Sequence, residues 1–338
     1  MKAIRVEKPH QLRLDDVQEP SLQSAEDVKI SVKRMGICGS DMHIYHGENP
    51  FATYPRIIGH EIAGEITEIG ADVTGLKPGD PVVLEPMVAC GTCYACRQNR
   101  PNVCEAIEVY GVHREGGGQE VITANATHVH KMDATLSWSE MALAEPFTIG
   151  AQAMYRGDVQ EGDVVYIIGA GPIGLCCLKM AKRKGARVLI SDFNEERLAF
   201  AKEWGADVVM NPASGDVNTR VSSETDGMGA NVVVDAVGLT VTFEQAVDVA
   251  SPAGRVVLLG FNSEPSKITQ VPITKKEVSI HGSRLQTHRF PEVVDAFGSP
   301  EFSLGDLVSH EFSIDDVHEA FQLMEEAPEG VRKVMIKL

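Results

Sequence analysis

The chain has 338 residues, 43% of them hydrophobic and 23% charged, with 31 Gly and 17 Pro. That size and composition exclude a disordered chain, a collagen-like chain and a disulfide-stapled miniprotein, and they leave room for roughly two domains. The balance of 31 basic against 48 acidic residues, a net charge of −17, argues against holding a nucleic-acid backbone or an anionic membrane through the overall field.

The opening segment, 1–14, lacks the apolar core of a secretory signal. The longest uncharged apolar run, 164–178, contains three Gly and a Pro and falls short of the ~20 residues that span a bilayer. A cytoplasmic protein without membrane or nucleic-acid partners is expected. Up to about residue 147 the strand-like runs 28–32, 63–69 and 81–84 are separated by turn signals such as Lys77-Pro78-Gly79-Asp80, which predicts a mostly β domain with loops. Beyond it the pattern alternates. Strands are predicted at 163–168, 187–191, 207–210, 231–235 and 255–259, with helices from the glycine-rich turn to Lys184, over 195–204 and over 240–250. Continuous Val/Ile/Leu strands alternating with helices predict a parallel sheet covered on both faces. The tail returns to a mixed pattern, with a helix at 315–326 and a closing strand at 333–338.

Gly169-Ala-Gly171-Pro172-Ile173-Gly174 follows a predicted strand and opens a predicted helix, and Asp192 ends the next strand, 23 residues after Gly169. In that setting Gly169 serves a tight turn, Gly171 the approach of a pyrophosphate and Gly174 the packing of helix on sheet. The phosphates would sit on free N–H groups at the helix start. Asp192 would bind the adenosine ribose hydroxyls and repel a 2′-phosphate, so NAD is expected over NADP. Arg197 could stack on the adenine or contact the ribose.

Cys90, Cys93, Cys96 and Cys104 have the spacing C-x2-C-x2-C-x7-C. Four thiolates so spaced can wrap a tetrahedral Zn²⁺ from one loop, a closed and therefore structural site. Two-residue spacers make disulfides among the first three awkward. Cys176 and Cys177 fall in the helix after the glycine turn and read as small buried hydrophobes. Cys38 stands apart, with His43, Gly59-His60-Glu61 and Glu145-Pro146 as the other chemistry-bearing blocks. Thiolate, imidazole and carboxylate together can hold Zn²⁺ with an open position, although spacing alone does not assemble them.

The blocks Gly36-Ile-Cys-Gly-Ser-Asp-Met-His43, Gly59-His-Glu61, the four-cysteine lobe and Gly169–Gly174, in that order, resemble the zinc-dependent medium-chain dehydrogenase/reductase superfamily over essentially the whole length. The resemblance implies an α/β protein with a GroES-like β-rich catalytic domain (1–147, including a zinc lobe at 88–110). A Rossmann doubly wound parallel-sheet domain (148–285) and a C-terminal return to the catalytic domain (286–338) would follow. It further implies Cys38, His60 and Glu61 as catalytic zinc ligands, with Glu145 as a fourth ligand or a partner of zinc-bound water. Whether Glu61 or Glu145 touches the resting metal stays open. Asp41 resembles the acid that orients the zinc-binding imidazole. Ser40 resembles a proton-relay hydroxyl, and His43 would pass the proton to solvent. Two zinc ions and NAD are the implied cofactors, and a homodimer or homotetramer the implied assembly.

Within the superfamily, His60-Glu61 and Glu145-Pro146 resemble the polyol and threonine dehydrogenase branch. The segment 49–60, Gly111-Val-His113, Glu145-Pro-Phe147 and Gly282-Ser-Arg-Leu285 resemble enzymes that oxidise L-gulonate or L-galactonate at C5, grouped with starvation-sensing dehydrogenases. One departure is Gly118-Gln119, where that resemblance calls for an aromatic and a small residue. The expected substrate is therefore a sugar acid, with a polyol such as sorbitol or L-threonine as the alternative. Tyr45 would line the pocket. Arg284 is the first candidate to grip a carboxylate, equally readable as a cofactor-phosphate contact; His113, Arg114 and Arg56 are the others.

Overall fold

The computed structural model describes residues 1–338. The chain divides into two compact units, Met1–Glu145 with Phe290–Leu338, and Pro146–Arg289.

The first unit is built on a seven-stranded sheet whose longest strand is Asp27–Gly36. Val28, Ile30 and Val32 are buried while Lys29, Ser31 and Lys33 are partly exposed, the period-2 pattern of a sheet with one dry face. Val28, Ile30, Ile62, Ile66, Val82 and Ile122 meet in its core. Strand Glu61–Ile69 pairs with Asp27–Gly36 on one side, placing Glu61 opposite Gly36. The last strand, Lys333–Lys337, pairs on the other side, placing Met335 opposite Gly36. The two ends of the chain's first unit therefore converge beside the residues that lead into Cys38.

This unit also carries helices that the sequence pattern does not announce, among them Gly39–His46 and Trp138–Ala142. Gly39–His46 is short and has almost no amphipathic stripe, so periodicity could not reveal it. Strand Val308–Ser313, parallel to Lys333–Lys337, is likewise absent from the sequence reading. The tail helix is Val317–Glu326, preceded by a 3-10 turn at Ile314–Asp316.

The second unit holds a six-stranded, all-parallel sheet in the order Val208–Met210, Arg187–Ser191, Val164–Ile168, Ala230–Asp235, Ala250–Leu258, Ser279–Gly282. This is the doubly wound arrangement, with its switch point between Val164–Ile168 and Ala230–Asp235. The apolar strands are buried along nearly their whole length. Helix Pro172–Arg183 starts from Gly171 with Pro at its first position, where a missing N–H costs nothing. Cys176 and Cys177 are fully buried on it, and Gly150 is so close that a Cβ there would meet the Cys176 backbone at 2.8 Å. No helix is long and apolar enough to cross a membrane.

A Cβ on Gly174 would lie 1.9 Å from the Gly169 carbonyl oxygen. Gly174→Ala is therefore expected to cost about 1–3 kcal/mol through overpacking and to abolish dinucleotide binding, read by chemical denaturation and NADH titration. Wild-type stability with wild-type binding would contradict the packing role.

Candidate active site

The metal pocket begins where strand Asp27–Gly36 ends. Cys38 leaves the strand in extended conformation and caps helix Gly39–His46. Asp41, in the first turn, accepts the Cys38 amide at 2.9 Å. Its other oxygen accepts the Gly59 amide at 3.1 Å and stands 3.7 Å from His60 Nδ1. One fully buried carboxylate thus fixes the backbone on both sides of the pocket and faces the His60 ring. Burial pushes its carboxyl upward, opposed by His60 and the Cys38 amide.

The ligand atoms of Cys38, His60 and Glu61 lie within 4.8 Å of one another. Ser40 Oγ is 3.5 Å from His60 Nε2. Burial disfavours the charged imidazole, but Asp41 and Cys38 outweigh it and raise the His60 pKa well above the ordinary value. Glu145 is also buried, and burial lifts its carboxyl to about 7. His60 Nδ1 and Glu61 Oε2 are buried without aligned hydrogen bonds. Soft and hard donors converging on one point fit a divalent zinc with a further coordination position.

Sequence reasoning missed Lys333. Its buried Nζ ion-pairs with the Glu61 carboxylate and donates to the Ile37 carbonyl at 3.0 Å. Gly36 makes room for this arrangement, since a Cβ there would lie 2.0 Å from Glu61 Oε2. A lysine in an apolar closing strand carries no signal beyond its charge, and the partner is 272 residues away.

His43 is exposed on the same helix as Ser40. The Tyr45 ring packs at 5.5 Å from both His10 and Phe321 and at 5.4 Å from His46. His113 Nδ1 accepts the Val109 amide at 3.1 Å, and its ring lies 6.1 Å from Phe51. Arg114 stacks over Tyr110 at 4.6 Å. Arg56 is buried, with Thr53 Oγ1 at 2.6 Å and Glu115 at 3.5 Å. Arg284 belongs to the second unit, just after strand Ser279–Gly282. Gly118 is confined, as a Cβ there would meet the Ile58 carbonyl at 2.8 Å.

Cys90, Cys93, Cys96 and Cys104 also bring their sulfurs within 4.8 Å. Backbone amides aim at them: Thr92 and Cys93 at Cys90 Sγ (3.5 and 3.4 Å), and Cys90 and Ala106 at Cys104 Sγ (3.3 and 3.4 Å). The Thr92 and Cys93 amides lower the Cys90 thiol to about 6, whereas burial pushes Cys96 up to about 12. Amide donors around a sulfur cluster favour thiolates and so fit a structural zinc.

In the second unit, Gly169 adopts a left-handed φ of 99°, and a Cβ on Gly171 would face open space, as a phosphate cradle requires. Asp192 is pinned by the Ala170 amide at 2.8 Å and the Asn194 amide at 2.9 Å, with Arg197 at 3.9 Å. A cavity of ≈ 730 Å³ opens there, lined by Gly169, Asp192, Phe193, Arg197, Val237 and Leu239 among others. A fixed carboxylate beside a glycine turn at the carboxyl end of a parallel sheet fits the adenosine half of NAD.

This pairing of a β-rich unit bearing a buried metal pocket with a doubly wound dinucleotide unit defines a zinc-type dehydrogenase. Residues 24–134 match the alcohol dehydrogenase GroES-like domain family and residues 172–299 the zinc-binding dehydrogenase family. The chain belongs to the zinc-type medium-chain alcohol dehydrogenase family. It is 39% identical to the starvation-sensing protein RspB of Escherichia coli K12, over 99% of each chain. It is 32% identical to the L-galactonate-5-dehydrogenase of the same organism, over 87% of this chain and 86% of the relative. The crystal structure of the alcohol dehydrogenase rspB from E. coli CFT073, complexed with NADH, matches with a TM-score of 0.94 and 38% identity, covering 100% of this chain and 99% of that one.

Two outcomes follow from this geometry. The protein as isolated should hold about two zinc ions per chain, and Cys96→Ser should lose one of them; zinc analysis giving none in the parent would contradict both pockets. Lys333→Met should destabilise the metal-free protein by about 3–5 kcal/mol, because it leaves a buried carboxylate unpaired. Adding Glu61→Gln should restore most of that loss in denaturant unfolding, whereas additive losses would contradict the coupling.

Proposed function

We propose that the protein oxidises a secondary alcohol of a sugar acid, with L-gulonate at C5 going to D-fructuronate, or L-galactonate to D-tagaturonate. The observation that carries this reading is the convergence of half-buried Cys38 with buried His60 and Glu61 next to Ser40. When bound, zinc held by Cys38, His60 and either Glu61 or Glu145 supplies Lewis acidity to the substrate hydroxyl, and NAD supplies the hydride acceptor. The chain does the rest. Asp41 holds the backbone around the pocket and orients the imidazole. Ser40 takes the hydroxyl proton, and exposed His43 passes it to water. Glu145, buried where the charges of His60 and Glu61 reach it, would serve as a fourth ligand or as a partner of zinc-bound water.

The choice of sugar acid has a chemical basis beyond resemblance. L-Gulonate is sorbitol with one terminus oxidised, and its C5 is the stereocentre that sorbitol presents as C2. One zinc pocket can therefore serve both, and only a carboxylate anchor must be added. Arg284 is that anchor in this reading, since guanidinium grips carboxylate in two-point fashion, with His113 at the substrate as well. The enzyme would act in the cytoplasm as a homodimer or homotetramer.

The test is NADH formation, side by side, from L-gulonate, L-galactonate, sorbitol and L-threonine. A strong preference for a hexonate is expected, and Arg284→Ala should raise KM for the hexonate far more than KM for NAD. Preference for sorbitol or L-threonine would overturn the sugar-acid reading. A selective loss of NAD affinity in Arg284→Ala would assign that arginine to the cofactor phosphate instead.

A further inference from the structure

Between the last strand of the parallel sheet, Ser279–Gly282, and the end of the second unit at Arg289, the chain runs as an irregular segment that carries Arg284. Two of its residues, Leu285 and His288, hold left-handed φ angles of 48° and 52°. That region is unfavourable for residues with a Cβ, and a bulky leucine stays there only where its surroundings impose it. Leu285 directly follows Arg284, so whatever imposes its conformation also sets where the Arg284 side chain leaves the backbone.

The constraint comes from helix Ala144–Arg156. Gln152 is fully buried on it. A glutamine without exposed surface is costly unless its amide is used, and both ends of this amide meet one residue of the segment. Gln152 Oε1 accepts the Thr287 amide at 2.9 Å, and Nε2 donates to Thr287 Oγ1 at 3.5 Å. One turn further on the same face, Arg156 Nε donates to the Gly282 carbonyl at 3.0 Å. The helix therefore grips the segment at Gly282 and at Thr287, with Arg284 and Leu285 between the two points. The second grip is doubled. Arg289 Nε donates to the Thr287 carbonyl at 2.7 Å, and the same guanidinium lies over the Tyr155 ring at 4.5 Å. The helix itself is seated hard, because a Cβ on Gly150 would meet the Cys176 backbone at 2.8 Å.

We propose that Gln152 is a positioning residue for Arg284: by pinning Thr287 it holds Leu285 in the left-handed turn and so presents the guanidinium in one fixed place and direction. Two-point recognition of a carboxylate by guanidinium is directional, and a group placed before the substrate arrives loses less freedom on binding. Without the pin, Leu285 relaxes to negative φ and the backbone at Arg284 turns with it. The charge stays in the protein, but its aim is lost. The inference rests on the carboxylate role given to Arg284 above, and the experiment separates the two.

Gln152→Met keeps side-chain length and helix propensity while removing both hydrogen bonds. KM for the preferred hexonate should rise about tenfold, the scale of one hydrogen bond to a charged group, with kcat and KM for NAD unchanged. Leu285→Gly, which adopts the left-handed turn freely, should keep the parent KM and, combined with Gln152→Met, should recover most of the loss. Unchanged hexonate KM in Gln152→Met would overturn the assignment. So would equal rises for hexonate and NAD, which mark a structural role, or a double variant no better than Gln152→Met. Arg289→Ala, at a partly exposed position, breaks the other hold on Thr287 and should shift hexonate KM in the same direction; it decides the matter if Gln152→Met fails to fold. A parent that prefers sorbitol would remove the sugar-acid reading and this inference with it, whereas a hexonate-preferring parent with an insensitive Gln152→Met removes the inference alone.

Discussion

The buried pair between Lys333 and Glu61 is the interaction on which the first unit most depends. A charged lysine out of water is tolerated only with a close counter-charge and further hydrogen bonds, and Lys333 has both, in Glu61 and the Ile37 carbonyl. The pairing geometry explains why they meet. Gly36 sits opposite Glu61 on one neighbouring strand and opposite Met335 on the other, and the absence of a side chain at Gly36 leaves the space the ion pair fills. The C-terminal return is therefore more than a closing strand. It delivers the positive charge that lets two carboxylates, Glu61 and Glu145, remain buried beside a cysteine and a histidine.

A metal ion changes that balance in a simple way. The pocket concentrates Asp41, Glu61, Glu145 and Cys38 around one imidazole, an arrangement rich in negative charge for a buried site. A divalent cation would neutralise it. The four-cysteine lobe solves the same problem differently, with backbone amides aimed at sulfur. One site is closed by four like ligands and so is suited to structure. The other mixes ligand types and has the Ser40 hydroxyl beside His60, and so is suited to chemistry.

Much of this was legible in the sequence, and unevenly. The parallel sheet was, because buried strands read as continuous Val/Ile/Leu runs and the glycine turn has a strict backbone meaning. The cysteine lobe was, because its ligands lie within one short loop. The metal pocket was reachable only through the resemblance carried by the blocks around Cys38, His60 and Glu145, since ligands far apart in the chain have no spacing to read. Lys333 had no signal at all: its role depends on strand register, which sequence periodicity does not reveal. The short helix Gly39–His46 was hidden for a related reason. It is held by Asp41 hydrogen bonds and buries only Asp41, Met42 and Ile44, so it has no stripe.

Two chemically different clusters of zinc-ligating side chains coexist in this chain, one of four sulfurs and one of mixed donors. X-ray absorption at the zinc edge of the fully loaded protein tests most directly whether both hold zinc. With both sites filled, about two and a half sulfur neighbours per zinc are expected on average, with nitrogen or oxygen supplying the rest. In Cys38→Ser, zinc that remains in the lobe alone should show about four. An average near four sulfurs in the parent would mean that the pocket of Cys38, His60 and Glu61 holds no zinc, and the proposed chemistry would lose its metal.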